Sequence, residues 1–584
     1  MSLFCRKQDG EKPRKNRGCL WTIIVCLIAY VVLCGVLGAT MGNMFSTPET
    51  KLTDNSIYKL EMSGTVVEQG QEDNPFASLM GSTPYYSQPN TVGLNDLIAN
   101  IRLAEGSDKV KGIYLYGGEF AIGQASAKAL RDALVDFKRS GKFIVAYASD
   151  YSVTNYYIAS VADTLYLNPT GSISWNGLTA QKMYYTRVLE KIGVEMQILK
   201  VGTFKSAVEP FFRTSMSDAD RKQTEVYLNG VWDVLKAGVS ESRGIAESEL
   251  DALADRYMGI AASEEYIATG LADRLVFQEE MDSVLTRLAG KDYKLVTTAK
   301  MSNVKKAESS AKDKIGILYL EGQIYSEEGD GIVDTEVLKT IKKMHKEDDL
   351  KAVVLRVNSP GGSADASEQI HHAVQTLQAK GLPVVVSMGD YAASGGYYIS
   401  CEADYIYAEP NTLTGSIGIF GTIPNVKKLR EKIGLDMDGV TTNRHAAMQV
   451  NMVYHGMSPE EHELMQAMIE RGYDLFTRRC AEGRKMSQDS IKAIGEGRVW
   501  LGQDALNIGL VDALGNMDDA IKKAAELAET DEYQLVYYPE KKDPMEELLK
   551  LLDNTTDEEK LILRIKEYAS KPRIMALMPE VTIQ

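Results

Sequence analysis

The chain has 584 residues, a formal net charge of −16, 44% hydrophobic residues and six cysteines. So acidic a chain is a poor partner for nucleic acid, and its carboxylates read as a solvated surface. Four cysteines (Cys5, Cys19, Cys26 and Cys34) crowd into the first residues and leave only Cys401 and Cys480 beyond them, which excludes a disulfide scaffold.

Residues 1–18 are basic, with Arg6, Lys7, Lys12, Arg14, Lys15 and Arg17. Residues 18–48 carry no charge, and residues 20–37 are apolar almost throughout, long enough to cross a hydrocarbon core as a helix. A cleaved signal peptide is the competing reading, but its apolar part is normally shorter and no good small-x-small cleavage site follows. A lipoprotein site at Cys34 is disfavoured by the bulky Leu33. The expectation is an uncleaved anchor over 19–42, with the basic flank inside the cytoplasm and the remainder exported.

The rest repeats itself with a period of about 240 residues. Lys111-Gly112-Ile113-Tyr114-Leu115 parallels Lys351-Ala352-Val353-Val354-Leu355. Lys142-Phe143-Ile144-Val145-Ala146 parallels Leu382-Pro383-Val384-Val385-Val386. Asp163 and Pro169 match Asp404 and Pro410, and Thr170-Gly171-Ser172-Ile173 matches Thr414-Gly415-Ser416-Ile417. Gly270-Leu271-Ala272-Asp273 matches Gly509-Leu510-Val511-Asp512. Each unit alternates short Val/Ile/Leu-rich strands with amphipathic helices, clearest at 125–139 and 365–380, which predicts an α/β fold with a mostly parallel sheet. The expected units are 50–300 and 314–540, joined by a polar linker at 301–313 and followed by a charged tail at 541–584. Residues 68–92, rich in Gly, Ser, Pro, Asn and Gln, are expected to be a mobile insertion.

The two copies differ where chemistry is expected. In the second, a strand ends in Asn358-Ser359-Pro360-Gly361-Gly362, a turn that presents backbone N–H groups of the kind an oxyanion hole needs. Another strand leads into Ala393-Ser394-Gly395-Gly396, where a serine between small residues can present its hydroxyl uncrowded. Either turn alone is an ordinary feature of an α/β protein; the pair in this order is more specific. The first copy has Gly117-Gly118-Glu119-Phe120-Ala121 and Ser152-Val153-Thr154-Asn155 instead, with Thr154 as a conceivable substitute nucleophile.

The first copy offers a lysine: Lys205, in Val201-Gly202-Thr203-Phe204-Lys205-Ser206-Ala207. Near the matching place the second has Arg444, which cannot give up its proton. One copy thus supplies a lysine without a serine and the other a serine without a lysine, which points to one composite site. A serine needs a base to become a nucleophile. The six histidines start only at His345, and none falls in a convincing Ser-His-Asp arrangement; His371-His372 reads as a surface or packing pair, and His445 is the fallback base. A lysine can serve if burial lowers its pKa from about 10.4 toward neutrality. The competing fate of Lys205 is an ordinary surface lysine.

Together these motifs resemble the ClpP/crotonase superfamily, and in detail the long, duplicated signal peptide peptidase A group of the S49 serine peptidases, over residues 15–535. The resemblance implies tandem ClpP/crotonase-like domains behind a transmembrane helix. It implies Lys205 as general base, Ser394 as nucleophile, the amides of Gly361 or Gly362 and of Gly395 as oxyanion hole, and Ser416 as the lysine's hydrogen-bond partner. It also implies a homotetramer at the outer face of the bacterial inner membrane that degrades cleaved signal peptides and other short apolar peptides. No cofactor is expected, since the sequence has neither a His/Cys cluster of ligand spacing nor a P-loop. Two rival readings are a crotonase-like acyl-CoA enzyme, which export argues against, and a non-catalytic membrane scaffold.

Overall fold

The computed structural model describes residues 49–70, 91–305 and 310–540, and the backbone of Arg573–Leu577. The expected anchor lies outside the described residues. Among those that are described, no helix is long and apolar enough to cross a membrane.

Two parallel sheets are built in the same way. In the first, the strands Ser56–Val67, Val110–Ala121, Phe143–Tyr151 and Thr164–Ile173 lie side by side in chain order. In the second, Lys314–Glu321, Leu350–Ser359, Val384–Ala393 and Tyr405–Ala408 repeat that order. A late strand closes each sheet against its first: Lys294–Thr297 beside Ser56–Val67, and Gln534–Tyr538 beside Lys314–Glu321.

Strands covered on both faces must be apolar on both, which is why these runs lack the alternation of a half-exposed sheet. In Leu350–Ser359, Val353, Leu355 and Val357 pack with Ile370, Val374 and Leu377 of the helix Ala364–Ala379. Ala352 and Val354 face the other way, onto Ala520 and Ala524 of the helix Met517–Leu527. Burying one Val or Leu side chain of this kind stabilises the fold by about 1.5–3 kcal/mol.

The repeated landmarks turn out to be strand-end brackets. Asp163 accepts the Ile144 N–H at 2.8 Å, and Asp404 the Val384 N–H at 2.7 Å. Asp273 accepts from Leu165 and Arg243, and Asp512 from Ile406 and Arg484. The Tyr156 and Tyr397 hydroxyls donate to the Leu271 and Leu510 carbonyls, each at 2.8 Å.

A third sheet spans the two copies. Its order is Ile332–Val333, Ile324–Tyr325, Gly361–Ser363, Arg573–Leu577, Phe420–Asn425 and Glu195–Lys200. The last strand comes from the first copy and pairs antiparallel with Phe420–Asn425, from Lys200 opposite Phe420 to Glu195 opposite Asn425. The chain therefore leaves Lys200 already inside the second copy, five residues short of Lys205. Arg573–Leu577 supplies a strand between Gly361–Ser363 and Phe420–Asn425, a role nothing in the charged tail announced.

Two sequence readings need correction at their edges. The stretch expected to be a mobile insertion begins with Glu68, only 4% exposed, and closes with the parallel strand Thr91–Gly93. The expected linker begins with Met301, which is fully buried at the end of the helix Thr298–Ser302.

Candidate active site

Ser394 follows the strand Val384–Ala393 and caps the short helix Gly395–Tyr398. Its backbone is at φ 55°, ψ −114°, a conformation non-glycine residues avoid and one that costs about 1–3 kcal/mol. Two bonds hold it there: its N–H donates to the Gly415 carbonyl, and its own carbonyl accepts from Tyr398 N, each at 2.8 Å. The result is a sharp strand-to-helix turn that turns the hydroxyl out of both elements. The side chain is fully buried.

The two glycines after it sit where neighbouring side-chain and backbone atoms crowd any Cβ. A Cβ on Gly395 would lie 2.7 Å from Ser367 Oγ and 3.1 Å from both Gly361 Cα and Gly362 N. A Cβ on Gly396 would lie 2.5 Å from the Ser359 carbonyl oxygen. The serine turn and the Pro360-Gly361-Gly362 turn are therefore in direct contact. Gly361 adopts φ 95°, and its N–H donates to Ser359 Oγ at 3.2 Å.

Lys205 reaches this place from the first copy. Its Nζ lies 2.8 Å from Ser394 Oγ, 3.0 Å from Ser416 Oγ and 3.1 Å from the Ser416 carbonyl oxygen. Ser394 and Lys205 are 189 residues apart in sequence. The lysine is fully buried, and among the described residues no carboxylate is a partner of its Nζ. Burial alone pushes its pKa well below the usual lysine range. Such an amine has a lone pair with which to accept the serine proton.

The second copy grips the lysine. A Cβ on Gly418 would lie 3.3 Å from Lys205 Cδ, and one on Gly497 2.6 Å from Lys205 Cβ. Phe204 N–H donates to the Glu496 carbonyl at 2.9 Å. Gln223 donates to the Phe204 carbonyl and Ser206 Oγ, and accepts from Val499 N. Ser416 is itself at φ 53°, held by its N–H bond to the Arg498 carbonyl at 2.7 Å.

All six residues singled out in the sequence thus meet in one place: Lys205, Ser394, Gly361, Gly362, Gly395 and Ser416. The rejected substitutes lie elsewhere. With Tyr156 equivalent to Tyr397, Val153 stands opposite Ser394, and Thr154 accepts a bond from Gln124 instead. Arg444 is on the surface, paired with Glu460. His371 is not a surface residue; it is 1% exposed and contacts Glu402 at 3.0 Å. Sequence reasoning missed Gly418 and Gly497, whose only sign was a glycine whose partner is remote in the chain. Among the described residues there is no His/Cys/Asp/Glu group that could hold a metal ion.

The chain is similar to known proteins over most of its length. The model of peptidase family S49 matches residues 136–292 and again 376–531, and that of Clp protease matches 306–413. Protease 4 of Haemophilus influenzae is 33% identical over 525 residues, covering 86% of this chain and 84% of that protein. Protease 4 of Salmonella typhi is 35% identical over 528 residues, covering 87% and 84%. The chloroplastic serine protease SPPA of Arabidopsis thaliana is 32% identical over 450 residues, covering 75% and 66%.

Proposed function

This chain belongs to peptidase family S49 and is a serine peptidase, and from that premise we propose that Ser394 is its nucleophile and Lys205 its general base. The 2.8 Å contact between Lys205 Nζ and Ser394 Oγ carries the assignment. A neutral Lys205 takes the hydroxyl proton as Ser394 Oγ attacks the scissile carbonyl carbon. The carbonyl π pair moves onto oxygen, and we assign the N–H groups of Gly361 or Gly362 and of Gly395, at the contact between the two glycine turns, to receive it. Protonated Lys205 then gives its proton to the leaving amide nitrogen, and the C–N bond breaks to leave an acyl-Ser394 ester. Lys205 next deprotonates a water, which attacks the ester, releases the acid and restores the serine. Ser416, with two oxygens on Nζ, holds the amine on the nucleophile throughout.

The substrates we infer are cleaved signal peptides and other short apolar peptides at a membrane. The apolar, charge-free residues 20–37 support a single-pass anchor with the site outside the cytoplasm, and the resemblance in repeat pattern supports a homotetramer. Against a crotonase-like or scaffolding role stands the family membership together with a complete serine–lysine pair.

The deciding experiment follows hydrolysis of an apolar peptide amide by wild type, Ser394→Ala and Lys205→Ala. Both variants should assemble normally and lose activity. Full activity in a correctly folded Lys205→Ala enzyme would put the base elsewhere and defeat the assignment.

A further inference from the structure

We propose that Glu68 is a positioning residue for this peptidase. Supplied by the first repeat, it sets the strand that ends in the Gly361–Gly362 turn against the strand that ends in Ser394. The inference rests on the catalytic reading above.

The argument starts from a fault in the second sheet. The strands Leu350–Ser359 and Val384–Ala393 pair in step up to Val357 opposite Met388, but the next pair is Ser359 opposite Ala392. Two extra residues bulge out of the second strand just before the nucleophile. The ladder between these two strands is interrupted there, and side chains bridge the gap. Arg356 Nη1 donates to the Met388 carbonyl at 3.0 Å and to Ser387 Oγ at 2.9 Å. Asn358 Oδ1 accepts the Tyr391 N–H at 3.1 Å, three residues before Ser394.

Both of these side chains are held by one carboxylate from the other repeat. Glu68 follows directly on the strand Ser56–Val67 and is 4% exposed. Its Oε2 accepts from Arg356 Nε at 2.8 Å, and its Oε1 accepts from Arg356 Nη2 at 3.1 Å and Asn358 Nδ2 at 3.0 Å. Its own N–H donates to the Glu321 carboxylate at 3.1 Å. Gly389, in the bulge, is glycine because a Cβ would stand 2.6 Å from Glu68 Oε1. The bulge answers in kind: Asp390 accepts from Ala125 N at 2.8 Å, Ser126 N at 3.0 Å and Ser126 Oγ at 2.6 Å, at the start of the helix Gln124–Lys138.

A buried ion pair adds little stability compared with an apolar pair of the same size. What a two-pronged carboxylate–guanidinium contact adds is direction. Here that direction fixes the spacing between amide donors and nucleophile, where a misplacement of about 1 Å costs on the order of 100-fold in rate. The first repeat would then serve the second twice, with the base and with the alignment of its partners.

The test uses the full chain, wild type, Glu68→Gln and the double variant Glu68→Gln/Arg356→Met, which removes both buried charges together. The readouts are kcat and KM on an apolar peptide amide, thermal unfolding, and affinity for a peptide boronate that forms a tetrahedral adduct on the serine. An unreactive peptide of the same sequence is the reference ligand. Glu68→Gln should lower kcat about 10- to 100-fold with KM within about twofold, and boronate affinity should fall while reference-peptide affinity holds. The double variant should unfold like wild type and still be slow. Should Glu68→Gln not fold, Glu68→Asp, which keeps the charge on a shorter arm, is judged by the same boronate-to-peptide ratio. Variants that unfold early but keep kcat per folded molecule overturn the proposal. A wild type inert toward peptide and boronate overturns the peptidase reading and this one with it, whereas an active wild type matched by Glu68→Gln overturns this one alone.

Discussion

Gly497 of the second repeat lies flat against Lys205 of the first: a Cβ there would stand 2.6 Å from Lys205 Cβ and 2.8 Å from both Lys205 Cα and N. Its φ of +75° is also one that side chains resist. Gly497→Ala should therefore push on the lysine's backbone, which cannot swing aside as a side-chain tip can. We expect a stability loss of about 1–3 kcal/mol from the backbone conformation, and a fall in kcat exceeding the loss of folded protein. Unfolding curves and kcat on the same preparation separate the two. Unchanged kcat would mean that the lysine tolerates displacement.

Lys205 should govern the pH dependence of both activity and stability. In the proposed mechanism activity needs the neutral amine, so kcat/KM should rise with pH through the lowered pKa of this buried group. Stability follows the same group. Between its depressed folded pKa and the unfolded value of about 10.4, the unfolded chain binds the proton that the folded chain lacks. In that window stability rises with pH, so at neutral pH the lysine opposes folding. Lys205→Met should unfold at a higher denaturant concentration than wild type at pH 7, with the advantage fading as pH approaches 10. A Lys205→Met variant less stable than wild type at pH 7 would contradict this account.

Much of this site was legible because duplication supplied an internal control. Where the repeats agree, as at Asp163 and Asp404, the residues bracket strands in both sheets. Where they disagree, as at Val153 and Ser394, one copy holds the residue proposed as nucleophile and the other does not. Beyond the pairing of Lys205 with Ser394, the contacts between repeats were not legible, because they are made by residues without counterparts. Glu68 stands at the head of a polar stretch that reads as a surface insertion, yet its carboxylate is buried on Arg356, 288 residues away. No periodicity records such a distance, and the same holds for Gly497 against Lys205. The strand Arg573–Leu577 was hidden for another reason: it draws its pairing from two separate edges, Gly361–Ser363 and Phe420–Asn425, which only the folded second repeat brings together.

Ser416 and its duplicate Ser172 offer a matched pair of substitutions. Ser416 is buried and places both its hydroxyl and its carbonyl on Lys205, while the Ser172 hydroxyl donates to Asp150 at an exposed position, 2.6 Å away. Ser416→Ala removes one of two oxygens and leaves the carbonyl, so activity should fall about 10- to 100-fold, less than the roughly 100- to 10,000-fold that a general base contributes in full. Ser172→Ala should leave kcat and KM unchanged. Assay of the two variants side by side checks whether the shared Thr-Gly-Ser-Ile motif is structural in both copies or functional in one. Equal effects would favour the structural reading.

Glu321 should make stability fall as pH rises through neutrality. Burial, with the Glu68 carboxylate beside it, pushes its pKa up to about 7. A carboxyl whose folded pKa is raised holds its proton in the folded chain at pH values where the unfolded chain has released it. The stabilisation that follows is complete below the unfolded value of about 4.3 and is lost as pH rises through the folded one. Glu321→Gln keeps an oxygen for the Glu68 N–H, now 3.1 Å from the carboxylate, and removes the titration. The variant should therefore gain on wild type as pH increases from 5 to 8, when both are unfolded by denaturant across that range. A difference between them that stays flat over the range would show that Glu321 is already ionised, and that Arg356 offsets both neighbouring carboxylates.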